Sequence, residues 1–208
     1  MTTSHLTPSH PIPGPGVELH ARQLLARVPI EQPAGITGRL LGWLSRKLYG
    51  QAADNGFALA HNKKVLWATL LHERRIAAFD ALDPQLKALA EMAAAVEIGC
   101  SWCIDFGFHL AHDHGLDLAK LAAVARPDEA ENLTPVEKQV IAYAVACTAT
   151  PPTVTDEMVA ALRAELGDPA LIELTMIIAV ENQRSRVNAA LGLVSQGFSA
   201  SCRLPSPS

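Results

Sequence analysis

Apolar residues recur at intervals of three and four along most of the chain, which is the spacing of one face of an α-helix. The clearest stripe lies between positions 37 and 49 and consists of Leu40, Leu41, Trp43, Leu44 and Leu48. Similar stretches predict further helices over 17–28, 63–79, 84–98, 101–114, 117–124, 135–150, 156–166 and 169–194. No segment shows the alternation of a half-buried strand. The pattern predicts an all-α, multi-helix bundle.

Capping residues mark several of the predicted helix ends. Residues 134–137, Thr-Pro-Val-Glu, combine an N-cap threonine, a proline at the first helical position and the glutamate of a capping box. Asn62 is a candidate N-cap, and Asp83-Pro84 has the form of a helix start. Asn55-Gly56 indicates a turn. Gly167 followed by Asp-Pro predicts the end of one helix and the start of the next.

Proline-containing ends flank the helical region. Residues 1–16 include four prolines among small polar residues, which predicts a flexible arm. Residues 199–208 contain two more prolines and are predicted to fray. Residues 17–198 are long enough to bury a large core, so we expect them to form a single helical domain.

Composition narrows the possible functions. The formal net charge is −4, so there is no basic excess for binding nucleic acid or an anionic membrane surface. No window reaches the roughly 18 apolar residues of a membrane span, and no secretory signal is visible. We therefore expect a cytoplasmic, reducing location. In such a compartment, four cysteines are more typical of catalysis or metal binding than of a disulfide framework.

The most distinctive local motif is Cys100-Ser101-Trp102-Cys103, directly after Gly99. Glycine is typical of helix C-termini, so a new helix should begin at or just after Cys100. The free N–H groups and the macrodipole of its first turn favour a thiolate, which makes a cysteine there more nucleophilic. A spacing of three places both sulfurs on one face, close enough for a disulfide after modest adjustment. The motif predicts a reversible dithiol–disulfide couple.

Two other interpretations of the pair remain open. Both cysteines can be small buried hydrophobic residues without chemistry. A zinc site would combine the pair with two of His109, His112 and His114, but helical geometry scatters these histidines around the helix. We therefore predict no metal site and no cofactor.

The remaining candidates are weaker. Cys147 lies in an apolar helix and Cys202 in the C-terminal tail, so both are interpreted as bystanders. His72 belongs to a charged stretch that is typical of a solvated face, with catalysis as the alternative. Trp102 is interpreted as a core residue or a pocket wall.

Residues 62–121 resemble the carboxymuconolactone decarboxylase and alkylhydroperoxidase D family. The marks are Glu-Ile-Gly-Cys-Ser-Trp-Cys at 97–103, Asp105-Phe106, and His-Gly-Leu at 114–116. A looser mark at 181–192, Glu-Asn-Gln-Arg-Ser-Arg-Val-Asn-Ala-Ala-Leu-Gly, is similar to the closing helix of longer members.

The resemblance implies an all-helical fold that assembles into homo-oligomers. In the redox-active branch it also implies reduction of hydroperoxides. Cys103 would attack the peroxide and become a sulfenic acid, and Cys100 would resolve it to a disulfide. A dithiol carrier such as a lipoyl group or a small thiol protein would then reduce that disulfide.

The chain departs from this branch at two positions. The branch usually has a histidine four residues after the second cysteine, where this chain has Gly107, and a glutamate twelve residues before the first, where it has Ala88. Glu97, three residues before the pair, is the predicted substitute base, provided that burial raises its pKa. The alternative role for Glu97 is an ion pair with Arg184 or Arg186.

A second class of function stays open. The scaffold can serve a non-redox role, either as a decarboxylase-like enzyme acting on a small molecule or as a non-catalytic binding oligomer. Asn182, Arg184 and Asn188 could bind an anionic substrate, but hydrogen bonding between helices is the favoured interpretation.

Overall fold

The computed structural model describes residues 16–201, which form nine α-helices and two 3-10 helices, and no strand occurs within this range. The helices are α1 (Leu19–Leu25), α2 (Gly35–Tyr49), α3 (Asp54–Leu59), α4 (Lys63–Ile76), α5 (Pro84–Ile98), α6 (Ser101–Asp113), α7 (Leu118–Ala122), α8 (Pro135–Thr148) and α9 (Asp156–Ala190), with 3-10 helices at Ala123–Ala125 and Phe198–Ser201. The predicted all-α fold is confirmed. Nearly all of the predicted N-terminal arm, most of the predicted tail and Cys202 lie outside the described residues.

The predicted caps hold the ends of the longer helices. The Asn62 side chain accepts hydrogen bonds from two amides at the start of α4, and Asp83 does the same for α5. Thr134 and Glu137 form the reciprocal capping box of α8. These helices begin where expected because each cap needs only residues within one turn of it.

The predicted turn at Asn55-Gly56 and the predicted end of the last helix are wrong, because contacts with residues distant in the sequence determine the structure at both places. Asn55-Gly56 lies inside α3 instead of in a turn, because Ser45 Oγ accepts the Ala53 amide and the Gln196 side chain accepts the Asp54 amide, both at 2.8 Å. Helix α9 ends at Ala190, four residues before the predicted end. There Arg27 donates to the free carbonyl of Ala190 at 2.6 Å.

Helix α5 is the central element of the core. It packs against α6, α8 and α9, and close approach is possible because its buried face is rich in alanine: Ala90, Ala93, Ala94 and Ala95. Larger side chains from the neighbouring helices, including Phe108, Val140, Ile141, Leu174 and Ile178, fill the space between them. The C-terminal end of α5 therefore leads directly from the core into the cysteine motif.

Helix α9 contains a break at Gly167, whose φ of 77° and ψ of 167° are not helical. Pro169 follows in the first turn of the second segment, as the Gly-Asp-Pro pattern predicts. The second segment runs along α5 and carries the polar residues described below.

The chain after α9 folds back over the first turns of α6. Asp105, only 1% exposed, accepts the amides of residues 196–199 and the Ser199 hydroxyl. Ser199 is buried, so the prediction that the frayed tail already includes residue 199 is wrong for that residue. The buried carboxylate holds this segment because it satisfies several otherwise free N–H groups at once.

Within residues 16–201, no helix combines the length and the apolar character needed to cross a membrane.

Candidate active site around the cysteine pair

The two cysteines of the motif lie at the junction of α5 and α6. Gly99 ends α5 with a φ of 78°, and Cys100 is the N-cap of α6. The two sulfurs are 2.7 Å apart, and the Cys100 sulfur also accepts the Cys103 amide at 3.3 Å. Both thiols are free. They are buried, with Cys100 2% and Cys103 8% exposed.

The thiolate is favoured on Cys100. Its pKa is lowered, chiefly because the Cys103 thiol donates a hydrogen bond to it, and the Cys103 amide acts in the same direction. The pKa of Cys103 is strongly raised, because its thiol is the donor in that bond and because burial penalises a charge. Cys100 is therefore the first of the two thiols to lose its proton as pH rises.

Helix α9 supplies the polar groups that face the pair. Glu181, Ser185 and Asn188 follow the i, i+4, i+7 spacing of one helix face, and all three are buried. The Asn188 amide donates to the Cys103 sulfur at 3.3 Å. The Ser185 hydroxyl is fully buried and has one hydrogen, which it can donate either to the Glu181 carboxyl oxygen at 2.6 Å or to a thiolate of the pair, whose pKa this bond lowers.

Arg184 lies beside Glu181 among three carboxylates. Its guanidinium donates to both oxygens of Glu73, at 3.0 and 2.6 Å, and to Glu91 at 2.7 Å. The contact with Glu181 is longer, at 3.4 Å. One positive charge thus faces three carboxyl groups, and Glu181 is its most distant partner.

The pKa of Glu181 is raised well above its ordinary value. Burial is the main cause, and repulsion from negative charge on the cysteine pair and on Glu91 adds to it, while Arg184 opposes them. A carboxyl in these surroundings holds its proton at a higher pH than a solvated one.

The predicted base, Glu97, does not lie at the pair. It is exposed on the last turn of α5, and no described hydrogen bond or ion pair joins it to either sulfur. It does not pair with Arg184, whose partners are named above, nor with Arg186, which donates to Thr148 and Thr150. The carboxyl that faces the cysteines is Glu181 of α9, so the structure does not bring Glu97 to the position beside the sulfurs that a base would need.

Gly107 occupies the position on α6 where the redox branch usually has a histidine, and it lies against Met92 of α5. A Cβ at this position would lie 3.2 Å from the Met92 Cε atom, so an imidazole would require Met92 to move. The space beside Gly107 is thus filled by the flexible end of a side chain from α5, and not by its backbone.

An aromatic cluster covers the first turns of α6. Trp102 stacks on Phe106 at a centroid distance of 4.9 Å, and Phe198 contacts both rings. The Trp102 indole donates to Gln196 at 2.9 Å. Trp102 thus forms a wall of the site, in line with the interpretation of the sequence. Gln196 and Phe198, which follow α9, pack over this wall.

The histidines of α6 do not gather at the sulfurs. His109 packs against Phe106 and Phe198, and His112 is exposed beside Asp113. Among residues 16–201, no group of three or more His, Cys, Asp or Glu side chains is placed to hold a metal ion. Cys147 lies apart on α8, where burial raises the pKa of its thiol.

Residues 63–146 match the model of the carboxymuconolactone decarboxylase family, and this matched stretch contains the cysteine pair. The chain is also 32% identical over 124 residues to the uncharacterized protein YnjA of Escherichia coli strain K12. That alignment covers 60% of this chain and 66% of YnjA. The predicted resemblance to this family is confirmed for residues 63–146.

Solved structures share the fold at low sequence identity. The debrominase Bmp8, as a cysteine-to-alanine variant in complex with 2,3,4-tribromopyrrole, superposes with a TM-score of 0.72 at 18% identity, covering 85% of this chain and 96% of Bmp8. An alkylhydroperoxidase AhpD core protein, an uncharacterized peroxidase-related protein from Ralstonia eutropha JMP134, gives a TM-score of 0.68 at 17% identity, covering 84% and 95%. These similarities establish the shared helical fold.

Proposed function

We propose that this chain, which belongs to the carboxymuconolactone decarboxylase family through residues 63–146, reduces hydroperoxides through a dithiol–disulfide cycle. The observation that carries the proposal is the cysteine pair itself. Two free thiols with their sulfurs 2.7 Å apart stand at the start of a helix, where a thiolate is stabilised. The name of the fold neighbour from Ralstonia eutropha JMP134, a peroxidase-related protein with an alkylhydroperoxidase AhpD core, agrees with this chemistry.

In the proposed cycle, Cys103 is the attacking residue. It passes its proton to Cys100, and its sulfur then attacks one peroxide oxygen, which breaks the O–O bond and forms a sulfenic acid. Cys100 next attacks that sulfur, so that the S–S bond forms and the S–O bond breaks. Two thiols and one hydroperoxide thus give a disulfide, an alcohol and water. The Asn188 amide is placed to stabilise the developing thiolate on Cys103.

The proposed reductant is a dithiol. The pair is almost completely buried, which favours a reductant on a slender arm, such as a lipoyl group, over a bulky thiol protein. The cycle also needs a reducing compartment such as the cytoplasm, where the dithiol form can be restored.

We further propose that the chain forms a homo-oligomer through α2 and α4. Both helices expose large apolar side chains to solvent: Ile36, Leu40, Trp43, Leu44, Leu48, Val65, Trp67, Leu70 and Leu71. Monomeric proteins rarely expose so many large apolar residues. A second copy of the same chain is the occupant that we propose for this surface.

The test of the redox proposal is mass spectrometry of the reduced protein before and after one equivalent of hydroperoxide. We expect a rapid disulfide between Cys100 and Cys103, with Cys147 remaining a free thiol. The Cys100→Ser variant should accumulate a sulfenic acid on Cys103 that a dimedone probe captures. The Cys103→Ser variant should lose peroxide reduction.

A pair that stays reduced, or that is slowly overoxidised without linking, would overturn the proposal. The chain would then be a non-redox member of the family, such as a decarboxylase-like enzyme or a binding oligomer. Unchanged turnover of a genuine substrate by Cys103→Ser would point to the same conclusion.

A further inference from the structure

We propose that Glu181, linked to the cysteine pair through the Ser185 hydroxyl, carries a proton when the pair is reduced and gives it up when the pair becomes a disulfide. The proposal rests on the redox function above and assigns the proton relay that Gly107 and Ala88 leave open. Glu181 and Ser185 lie on α9, whereas the cysteines lie at the start of α6, so the proposed relay residues and the cysteines belong to different helices.

The charges around Glu181 require it to be neutral while the pair carries a thiolate. Arg184 is the cation beside it, and its shorter hydrogen bonds go to Glu73 and Glu91. Glu181 has only the 3.4 Å contact with Arg184 and is 6% exposed. A buried carboxylate without a counter-ion of its own takes up a proton rather than remain charged.

The path from Glu181 to the sulfurs is short. The fully buried Ser185 hydroxyl contacts the Glu181 carboxyl at 2.6 Å and acts on both thiols. A hydroxyl both donates and accepts, so it can pass a proton between the carboxyl and the pair. Residues 195–199 and the aromatic cluster cover the site, which limits competing exchange with bulk water.

The proton count balances over one turnover. The resting site holds two protons, one on the Cys103 thiol and one on Glu181, with the negative charge on Cys100. After attack by Cys103, the alkoxide that leaves the peroxide receives the Glu181 proton by way of Ser185 and departs as the alcohol. The second proton, passed from Cys103 to Cys100, leaves with the hydroxide as water when the disulfide forms. The oxidised site holds the disulfide and an ionised Glu181, and reduction by a dithiol restores two electrons and two protons.

The groups that set the charge of Glu181 come from four helices. They are the two cysteines at the start of α6, Glu73 on α4, Glu91 on α5, and Arg184 and Ser185 on α9. Only the cysteine pair changes its charge with oxidation. Burial favours the protonated Glu181 in both states, but when the thiolate becomes a neutral disulfide its added repulsion disappears, so the carboxylate left after proton transfer is less unfavourable.

The direct test is infrared difference spectroscopy of the reduced and oxidised protein, with diamide as the oxidant so that the result does not depend on peroxide. We expect oxidation to remove one protonated carboxyl band and to add carboxylate bands. Both features should be absent in Glu181→Gln and present in Glu73→Gln, which removes another carboxyl partner of the same arginine. A wild-type difference spectrum without a carboxyl signal, or one that persists in Glu181→Gln, would overturn the proposal.

Kinetics provide a second readout. In Glu181→Gln, the pH dependence of alkylation of the pair by iodoacetamide should stay as in the wild type, because a neutral amide replaces a carboxyl that is already protonated while the pair is reduced. The rate of peroxide-driven disulfide formation should nevertheless fall by about 100-fold, a typical effect of removing a general acid. Ser185→Ala should slow the reaction similarly, and Ser185→Thr should restore it.

A merely structural role would change the alkylation profile together with the peroxide rate, and would thereby contradict the relay. If wild-type protein does not react with peroxide but shows the carboxyl signal with diamide, the relay stands and only the peroxide substrate is wrong. The proton relay and the reduction of peroxide can therefore be refuted independently of each other.

Discussion

Ionised Glu181 would gain little stabilisation from Arg184, because Arg184 makes shorter hydrogen bonds to Glu73 and Glu91. The raised pKa of Glu181 also makes it a measurable part of protein stability. Below its ordinary value of about 4.5, the group is protonated in both the folded and the unfolded chain. Above that value the unfolded chain loses the proton first, so the free energy of unfolding decreases as pH rises toward the folded-state pKa.

We predict that Glu181→Gln becomes progressively more stable than the wild type as pH rises above 4.5. The glutamine mimics the protonated acid and does not titrate, so the difference should grow by up to about 1.4 kcal/mol per pH unit. Denaturant unfolding of the reduced proteins between pH 4 and 8 measures it. Glu165→Gln, at an exposed glutamate of the same helix, should show no such slope. A flat difference for Glu181→Gln would mean that the carboxyl is ionised throughout.

At the residue scale, the sequence predicted what depends on neighbours in the chain. The position of Cys100 and Cys103 at a helix start follows from Gly99 and a spacing of three, and both features are present in the structure. Glu181 could not be assigned in the same way, because its role depends on how α9 packs beside α6. A signal existed: Glu181, Ser185 and Asn188 form a polar stripe at helical spacing on an otherwise apolar helix face.

The junction between α5 and α6 is the element on which the pair depends. Gly99 adopts a φ of 78°, and nothing lies within 4 Å of a Cβ built at this position. A substitution here therefore tests backbone strain without a steric clash. The left-handed conformation costs about 1–2 kcal/mol for a residue with a Cβ.

We predict that Gly99→Ala lowers the free energy of unfolding by about 1 kcal/mol and slows disulfide formation, because strain at the cap displaces the Cys100 sulfur from the Cys103 amide. The matched control is Gly56→Ala in α3, where the φ is not positive and the nearest atom to a Cβ is a Leu41 methyl group at 3.8 Å. That change should be neutral or stabilising by up to roughly 1 kcal/mol. Equal destabilisation by the two substitutions would show that left-handed strain at Gly99 is not the cause.

At the element scale, helices with local caps were predicted closely, whereas ends fixed by distant residues were not. Thr134 and Glu137 start α8 with contacts that lie within three residues. By contrast, Ser45 and Gln196 hold the start of α3, and Arg27 holds the end of α9. These partners come from remote parts of the chain, so no local pattern identifies them.

At the scale of the whole molecule, the buried core and the exposed apolar surface are formed by different helices. Helices α5, α8 and α9 bury their apolar residues within one chain. Helices α2 and α4 have equally clear apolar stripes in the sequence, yet the chain leaves much of those stripes exposed. Periodicity alone identifies an apolar face and cannot distinguish a face that packs within the chain from one that packs against another copy.

We predict that replacing Trp43 and Trp67 together by glutamate dissociates the protein to monomers, because buried carboxylates at a subunit interface are strongly unfavourable. The two indoles are each 56% exposed within one chain, so the folded monomer should tolerate the change. Light scattering coupled to gel filtration measures the mass, and circular dichroism checks the helices. Ile172→Glu, at a 69% exposed position of α9, is the control and should leave the assembly intact. Dissociation by Ile172→Glu alone would place the interface on α9, and a wild type that is already monomeric would leave the apolar face of α2 and α4 for a different kind of partner.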